Sequence, residues 1–136
     1  MKVLKTVHSG VAHNANTEAN FVEVDLGKIY AREFLITGEV TGDGSASGTL
    51  LLNLYYSDVK LASAADAATK LADRKVAGVA KTVPTSDTFQ FDWDIAIQRK
   101  LARYLYISST RASFAGAITF TSRIVRVPST YQDGVS

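Results

Sequence analysis

Hydrophobic and polar residues alternate along much of the chain with a period of two, which is the pattern of half-buried β-strands. The clearest example is 88–95, where Phe89, Phe91 and Trp93 occupy alternate positions between polar residues. This aromatic stripe is expected to fill the core of a β-sandwich. Runs rich in β-branched and aromatic residues predict further strands. They lie at 21–26, 32–40, 49–56, 103–108 and 117–127.

Turn-forming residues separate several of these strands. The stretch 41–48 contains three glycines, which allow the positive φ that a chain reversal needs. Many short strands with such punctuation predict an all-β fold, an antiparallel β-sandwich or jelly roll.

One alanine-rich segment, 63–73, departs from the alternation and predicts a short inserted helix. Ser63 and Asp66 have the spacing of a capping box. So short a helix must dock on the sheet to be stable. The residues expected to dock are Ala64, Ala68 and Leu71.

The two ends of the chain are polar and contain little that could be buried. We therefore predict an N-terminal arm at 1–20, a jelly-roll domain at 21–127 and a C-terminal tail at 128–136.

Composition narrows the class of protein. The 136 residues include no cysteine, which excludes disulfide scaffolds and thiol catalysis. No apolar stretch approaches the roughly 20 residues that span a bilayer, and no signal peptide is recognisable. We therefore expect that the chain is made in a cytoplasm and has no membrane partner. The net charge of +2 combines −3 in residues 1–68 with +5 in residues 69–136. Such a chain could present two faces of opposite charge, unless the fold interleaves its halves.

Candidates for chemistry are few. The histidines, His8 and His13, have a spacing that matches no helical metal motif. Asp92 and Asp94 share a strand face at roughly 7 Å, a separation that inverting glycosidases use. A half-solvated strand shows the same alternation, and no further acid or histidine can be tied to the pair. We therefore expect no catalytic residue, metal or cofactor, and no enzyme.

Contact residues are easier to nominate. Tyr104 and Tyr106 share one face of a predicted strand, and tyrosine suits a surface where a ring and a hydroxyl are both used. Basic residues gather in the C-terminal half, but without a recognition helix or a phosphate-binding loop, so direct nucleic-acid binding is not expected. The predicted interface residues are Lys2, Lys5, His8, Tyr104, Tyr106, Arg111, Arg123 and Arg126.

Short motifs resemble two jelly-roll families. The sequences V-E-V-D-L-G-K at 22–28, L-Y-Y-S-D at 54–58 and R-Y-L-Y-I at 103–107 are similar to the strand skeleton of discoidin-type galactose-binding domains. Over about residues 21–127, these motifs resemble the cement proteins that decorate tailed-bacteriophage capsids. The glycine-rich turn, the Ala/Ser-rich stretch at 61–64 and the strand at 114–119 are part of that likeness.

The second resemblance implies a virion protein on the capsid exterior, made in the host bacterial cytoplasm. Its implied partners are the major capsid protein and further copies of itself, as a dimer or trimer. The first resemblance implies an alternative, a non-catalytic carbohydrate-binding module. Such modules carry exposed aromatic residues on their loops, and the loops at 41–48 and 81–87 have none.

Overall fold

The computed structural model describes residues 2–29, 33–98 and 102–126, without the side chains of Lys2, Glu33 and residues 91–98. The strands in these residues are β1 (Lys2–Ala12), β2 (Glu18–Asp25), β3 (Glu33–Gly42), β4 (Ser47–Ser57), β5 (Lys75–Ala77), β6 (Lys81–Thr82), β7 (Thr88–Gln98), β8 (Tyr104–Ala115) and β9 (Ile118–Arg126). Each of the six predicted strands is present. The short strands β5 and β6 and the whole of β1 are additional.

The strands form two sheets, one with the order β1-β9-β3-β7 and the other with the order β2-β8-β4-β5, in which β6 also pairs with β4. All the described pairings are antiparallel, and one set of them is nested: β1 pairs with β9, β2 with β8, β3 with β7 and β4 with β5 and β6. The pairings of β3 with β9 and of β4 with β8 join this set into the two sheets. Nested pairing across two sheets is what a long hairpin rolled into a sandwich produces. The predicted all-β jelly roll is confirmed.

This nesting bears on the charge asymmetry. Strands from the N-terminal half lie beside strands from the C-terminal half in both sheets. The halves therefore interleave, and the difference between −3 and +5 does not separate into two faces.

The core lies between the sheets and follows the alternation of the strands. Leu50, Leu52 and Leu54 of β4 are fully buried, as are Phe34 and Ile36 of β3 on the opposing sheet. Truncating one such leucine to alanine typically costs about 2–5 kcal/mol. The two inner faces thus supply most of the apolar burial.

A second, smaller cluster covers the outer face of the five-stranded sheet. The helical insert consists of a 3₁₀ turn at Ala64–Asp66, the α-helix α1 (Ala67–Lys70) and a 3₁₀ turn at Ala72–Arg74. Its buried residues, Ala67 and Leu71, pack with Tyr55 and Tyr106 of the sheet. The predicted short helix is confirmed in place.

Two details of that helix prediction are wrong. Ser63 makes no side-chain cap hydrogen bond, so there is no capping box. Ala68 is exposed and Ala67 takes its place in the contact, while Ala64 and Leu71 dock as expected. The reason is the tighter first turn: a 3₁₀ turn has three residues, which brings position 67 under position 64.

The prediction of an N-terminal arm is also wrong. Residues 2–12 form β1, which pairs with β9 from Lys2 opposite Arg126 to Ala12 opposite Thr119. Val7 and His8 of β1 are buried. Polar composition suggested an arm, but the polar residues meet specific partners on distant strands. The predicted tail at 128–136 lies outside the described residues.

Candidate interaction surface

The predicted interface residues separate into three groups in the fold. Lys2, Lys5, Arg123 and Arg126 come together on the neighbouring strands β1 and β9, although they lie at opposite ends of the sequence. His8, Tyr106 and Arg111 are buried, with at most 2% of their surface exposed. Tyr104 belongs to the other sheet. We name these four positions on β1 and β9 the basic edge. Arg126 is in register with the buried Phe34 and Arg123 with Thr37, so these two arginines belong to opposite faces of the sheet.

The register of β1 and β9 explains how the basic edge forms. Lys2 is directly opposite Arg126, and Thr6 is opposite Arg123. Lys5 and Arg126 are exposed. Like charges placed directly opposite in an antiparallel pair destabilise it. A negatively charged partner would therefore lower the free energy of the pair of positions 2 and 126.

Arg123 is the one member of the basic edge with an ion pair within the described part of the chain. Its guanidinium donates two hydrogen bonds to the carboxylate of Glu39 on β3, at 2.6 and 2.7 Å. The hydrogen bond from Arg123 lowers the pKa of Glu39. Arg123 is thus largely neutralised, and the exposed positive charge described on the basic edge comes from Lys5 and Arg126.

His8, predicted to contact a partner, instead joins β1 to its neighbours inside the sandwich. Its Nε2 donates to the carbonyl oxygen of Asn20 at 2.7 Å, which leaves Nδ1 to accept from the Ser122 hydroxyl at 2.6 Å. Its ring also lies 4.9 Å from the ring of Phe120. Burial lowers the pKa of His8, so the ring is neutral at pH 7. The prediction failed because both hydrogen-bonding partners are distant in the sequence.

Arg111 is likewise structural. The residue is 1% exposed, and its guanidinium donates to three carbonyl oxygens, those of His13 at 2.9 Å, Ser47 at 3.1 Å and Ala115 at 2.7 Å. These acceptors belong to three separate chain segments. Arg111 therefore ties together one end of the sandwich and offers no free charge to a partner.

The two tyrosines belong to the cluster under the helical insert. Tyr106 accepts from the backbone N–H of Leu61 at 2.7 Å and donates to Glu23 at 2.8 Å. Tyr104 is half-buried beside it, with the guanidinium of Arg103 5.3 Å from its ring centre. Both help to hold the insert on the sheet, so the shared face was predicted correctly but its exposure was not.

A polar cluster on the same sheet was not predicted. One oxygen of Glu18 accepts from Tyr55 at 2.5 Å and from Ser108 at 2.6 Å, and Lys75 lies 3.5 Å from the other. Burial, and then the hydrogen bond to Glu18, raise the pKa of Tyr55. The Glu18 carboxylate on β2 thus accepts from residues on β8 and β4 and is paired with a lysine on β5. This arrangement stabilises the sheet and leaves little free for a ligand.

The loops at the end of the sandwich that Arg111 ties together are also held by the chain's own polar groups. The Asp43 carboxylate accepts from the backbone N–H groups of Ser45 and Ala117, both at 2.9 Å. The Asn16 side chain accepts from the N–H of Phe114 at 2.7 Å. Phe114 is 39% exposed and is an aromatic residue at this end, outside the two loops considered above.

The aromatic stripe of β7 is only partly described. Phe89 is 51% exposed, contrary to the expectation that it lies in the core, because β7 is at the edge of its sheet. The other residues of the stripe, and both Asp92 and Asp94, have side chains outside the description. Alternation predicts a strand correctly, but it cannot say whether the strand is central or at an edge.

Within the residues that the structure describes, no three histidines or acidic residues come close enough to hold a metal ion. No helix of that same part is long and apolar enough to cross a membrane.

Comparison with known proteins is sparse. No protein-family model matches the sequence, and no curated protein matches it. The chain is similar to a chain in the structure of infectious bursal disease virus Gx strain, with 11% identity and a TM-score of 0.38. The likeness covers 88% of this chain and 30% of the viral one. The fold assignment rests on the strand pairings, and this likeness adds nothing to it.

Proposed function

We propose that the chain is a non-enzymatic virion protein, a cement protein that binds the outside of the major capsid shell of a tailed bacteriophage. The support begins with the motifs at 22–28, 54–58 and 103–107, which resemble that family. They fall on β2, β4 and β8, three neighbouring strands of one sheet of a jelly roll.

The observation that carries the proposal is the basic edge. Lys2 opposes Arg126 in the ladder, and Lys5 and Arg126 are exposed on the same pair of strands. This arrangement costs free energy in the isolated chain and is relieved when an acidic surface approaches. We propose that acidic residues on the outer surface of the shell are that surface.

Several polar side chains are bonded to groups of the chain itself, which supports a role in binding over a role in catalysis. His8 and Arg111 are buried and bonded to groups of the chain itself, and Glu18 is held by Tyr55 and Ser108. A catalytic acid or base needs to reach a substrate proton. These groups are bonded within the sandwich and are not free to reach a substrate.

Co-sedimentation with expanded, undecorated capsids tests the proposal. The protein should pellet with the capsids, and binding should weaken as salt rises because the contact is electrostatic. The double variant Lys5→Glu/Arg126→Glu should lose most of the binding. Lys70→Glu is the matched control, since Lys70 is exposed on α1 and paired only with Asp66 four residues earlier in the described chain. Absence of wild-type binding, or equal loss in the control, would contradict the proposal.

The alternative function is a carbohydrate-binding module, and Phe114 is the observation that favours it. An exposed aromatic ring can stack on a sugar, and Phe114 lies at the loop end of the sandwich with Arg111 against it, 4.7 Å from ring centre to guanidinium. Binding on a glycan array that Phe114→Ala abolishes and Phe89→Ala preserves would favour this function over the first.

A further inference from the structure

The edge strand β7 has no role in the function proposed above, which places the capsid contact on β1 and β9. β7 is the last strand of the four-stranded sheet, and β3 is its ladder partner. Within residues 2–29, 33–98 and 102–126, no strand pairs with its other side, so the backbone groups there can take a further strand. Thr88, Phe89 and Gln90 are exposed along it.

Phe89 shows that this rim of the sandwich is incomplete. It lies opposite Val40, which is fully buried, and directly opposite residues project from the same face of a sheet. On the other sheet, Val76 of β5 lies opposite the fully buried Leu54. Phe89 and Val76 are nevertheless 51% and 46% exposed. Core-facing apolar residues of both sheets are thus partly open to solvent along this rim.

The open strand has a sequence that complements itself. From Thr88 to Asp92, β7 pairs with β3 without a register shift, so this part is regular. It reads Thr-Phe-Gln-Phe-Asp, with Gln90 at its centre. When two such segments run antiparallel with Gln90 opposite Gln90, each Phe89 is opposite a Phe91 and each Thr88 is opposite an Asp92. Aromatic pairs and a hydroxyl opposite a carboxylate are favourable cross-strand neighbours, and no like charges meet.

We propose that two copies of the chain associate through β7 in this register. The pairing joins the two four-stranded sheets into one continuous sheet of eight strands about a twofold axis that passes beside Gln90. The occupant of the edge is a second copy because the segment supplies its own complement at every position. The contact is closed, so it stops at a dimer.

The competing occupant is β1 of another copy. It carries Lys2 and Lys5, and β7 carries Asp92 and Asp94, so the charges are opposite. However, the ladder of β1 is interrupted by three register shifts, and β1 contains no aromatic residue to meet Phe89. A contact between β1 and β7 would also repeat head to tail and build open chains. The self-paired β7 dimer accounts better for both the regular segment and the exposed ring.

Cysteine cross-linking tests the register directly, because the natural chain has no cysteine. Opposite residues of an antiparallel pair have Cα atoms about 4.5–5.5 Å apart, within the range of about 4.4–6.8 Å that a disulfide bridges. Mild oxidation of Gln90→Cys should therefore give a covalent dimer. Ser9→Cys, exposed on β1, is the control and should stay monomeric. Failure of Gln90→Cys to cross-link, or cross-linking only in a mixture of the two variants, would overturn the proposal.

Charge substitution at the same position gives an independent measurement. Gln90→Lys and Gln90→Glu each place two like charges together at the axis, which should weaken the dimer about fivefold in sedimentation equilibrium. An equimolar mixture should recover the affinity of the wild type, since Lys then faces Glu. Circular dichroism would verify that each variant is folded. A wild-type chain that is monomeric at the highest soluble concentration, or a mixture no tighter than either variant alone, counts against β7. These measurements involve no capsid, so their failure would leave the proposed shell binding untouched.

Discussion

The two edges of the four-stranded sheet are built in opposite ways. β1 carries lysines, its ladder has three register shifts, and buried side chains such as His8 fasten it to β9 and β2. β7 has a regular segment of five residues, no basic residue and an exposed phenylalanine. Bulges and lysines are the usual means of preventing strand addition at an edge. The difference indicates that β1 is protected against strand addition, while the described part of β7 has neither bulges in its regular segment nor lysines.

The largest expected effect comes from removing a phenylalanine ring on the central strand β9, compared with the same change on the edge strand β7. Phe120→Ala removes a ring that is 1% exposed, packs against His8 and supports β1, and should cost about 3–5 kcal/mol of unfolding free energy. Phe89→Ala removes a half-exposed ring from β7 and should cost about 1 kcal/mol. Urea denaturation at low protein concentration measures both. Equal losses would mean that Phe89 on the edge strand β7 is as well packed as Phe120 on the central strand β9.

The second prediction concerns acid and the attachment of β1. Burial lowers the pKa of His8 and of His13 below 6.5, so the unfolded chain binds more protons in this range than the folded chain. Stability is therefore complete above pH 6.5 and falls as the pH drops from 6.5 through the folded-state pKa values, by at most about 1.4 kcal/mol per pH unit for each histidine.

Several carboxylates titrate in a separate range. The pKa values of Glu23, Asp25, Glu39 and Asp43 are lowered from 4.5 or 3.8, so their contributions are lost only below those values. The slope between pH 6.5 and 5 thus reports the histidines. Urea midpoints of the wild type and of His8→Gln over this interval measure it, and an identical slope in the variant would show that His8 titrates normally.

The contrast between the edges also explains what could be predicted from the residues. β7 alternates between apolar and polar residues over 88–95, so its strand character follows from local periodicity. β1 was not predicted because His8 is buried by Ser122, 114 residues away, and by the backbone of Asn20. Arg111 looked like a surface charge because its three carbonyl acceptors come from separate segments. Positions of this kind depend on strand order, which periodicity does not contain.

A smaller effect is expected at the ion pair between the basic edge and β3. Arg123 and Glu39 are bidentate, but about a third of each side chain is exposed. Exposed pairs contribute about 0.2–1 kcal/mol, so a double-mutant cycle of Arg123→Gln and Glu39→Gln should give a coupling within that range. A coupling of several kcal/mol would mean that the pair, and not the buried face of β1, holds this side of the sheet together.

The smallest effect on stability has the opposite sign and separates folding from binding at the basic edge. Arg126→Gln removes a charge opposite Lys2, so it should stabilise the free protein by about 0.2–0.5 kcal/mol at low salt. The gain should vanish at high salt, because the repulsion is between exposed charges and is screened. The same variant should bind undecorated capsids less tightly. A substitution that improves folding while it weakens attachment would show that Arg126 serves a partner; a loss of stability would instead show that it serves the sheet.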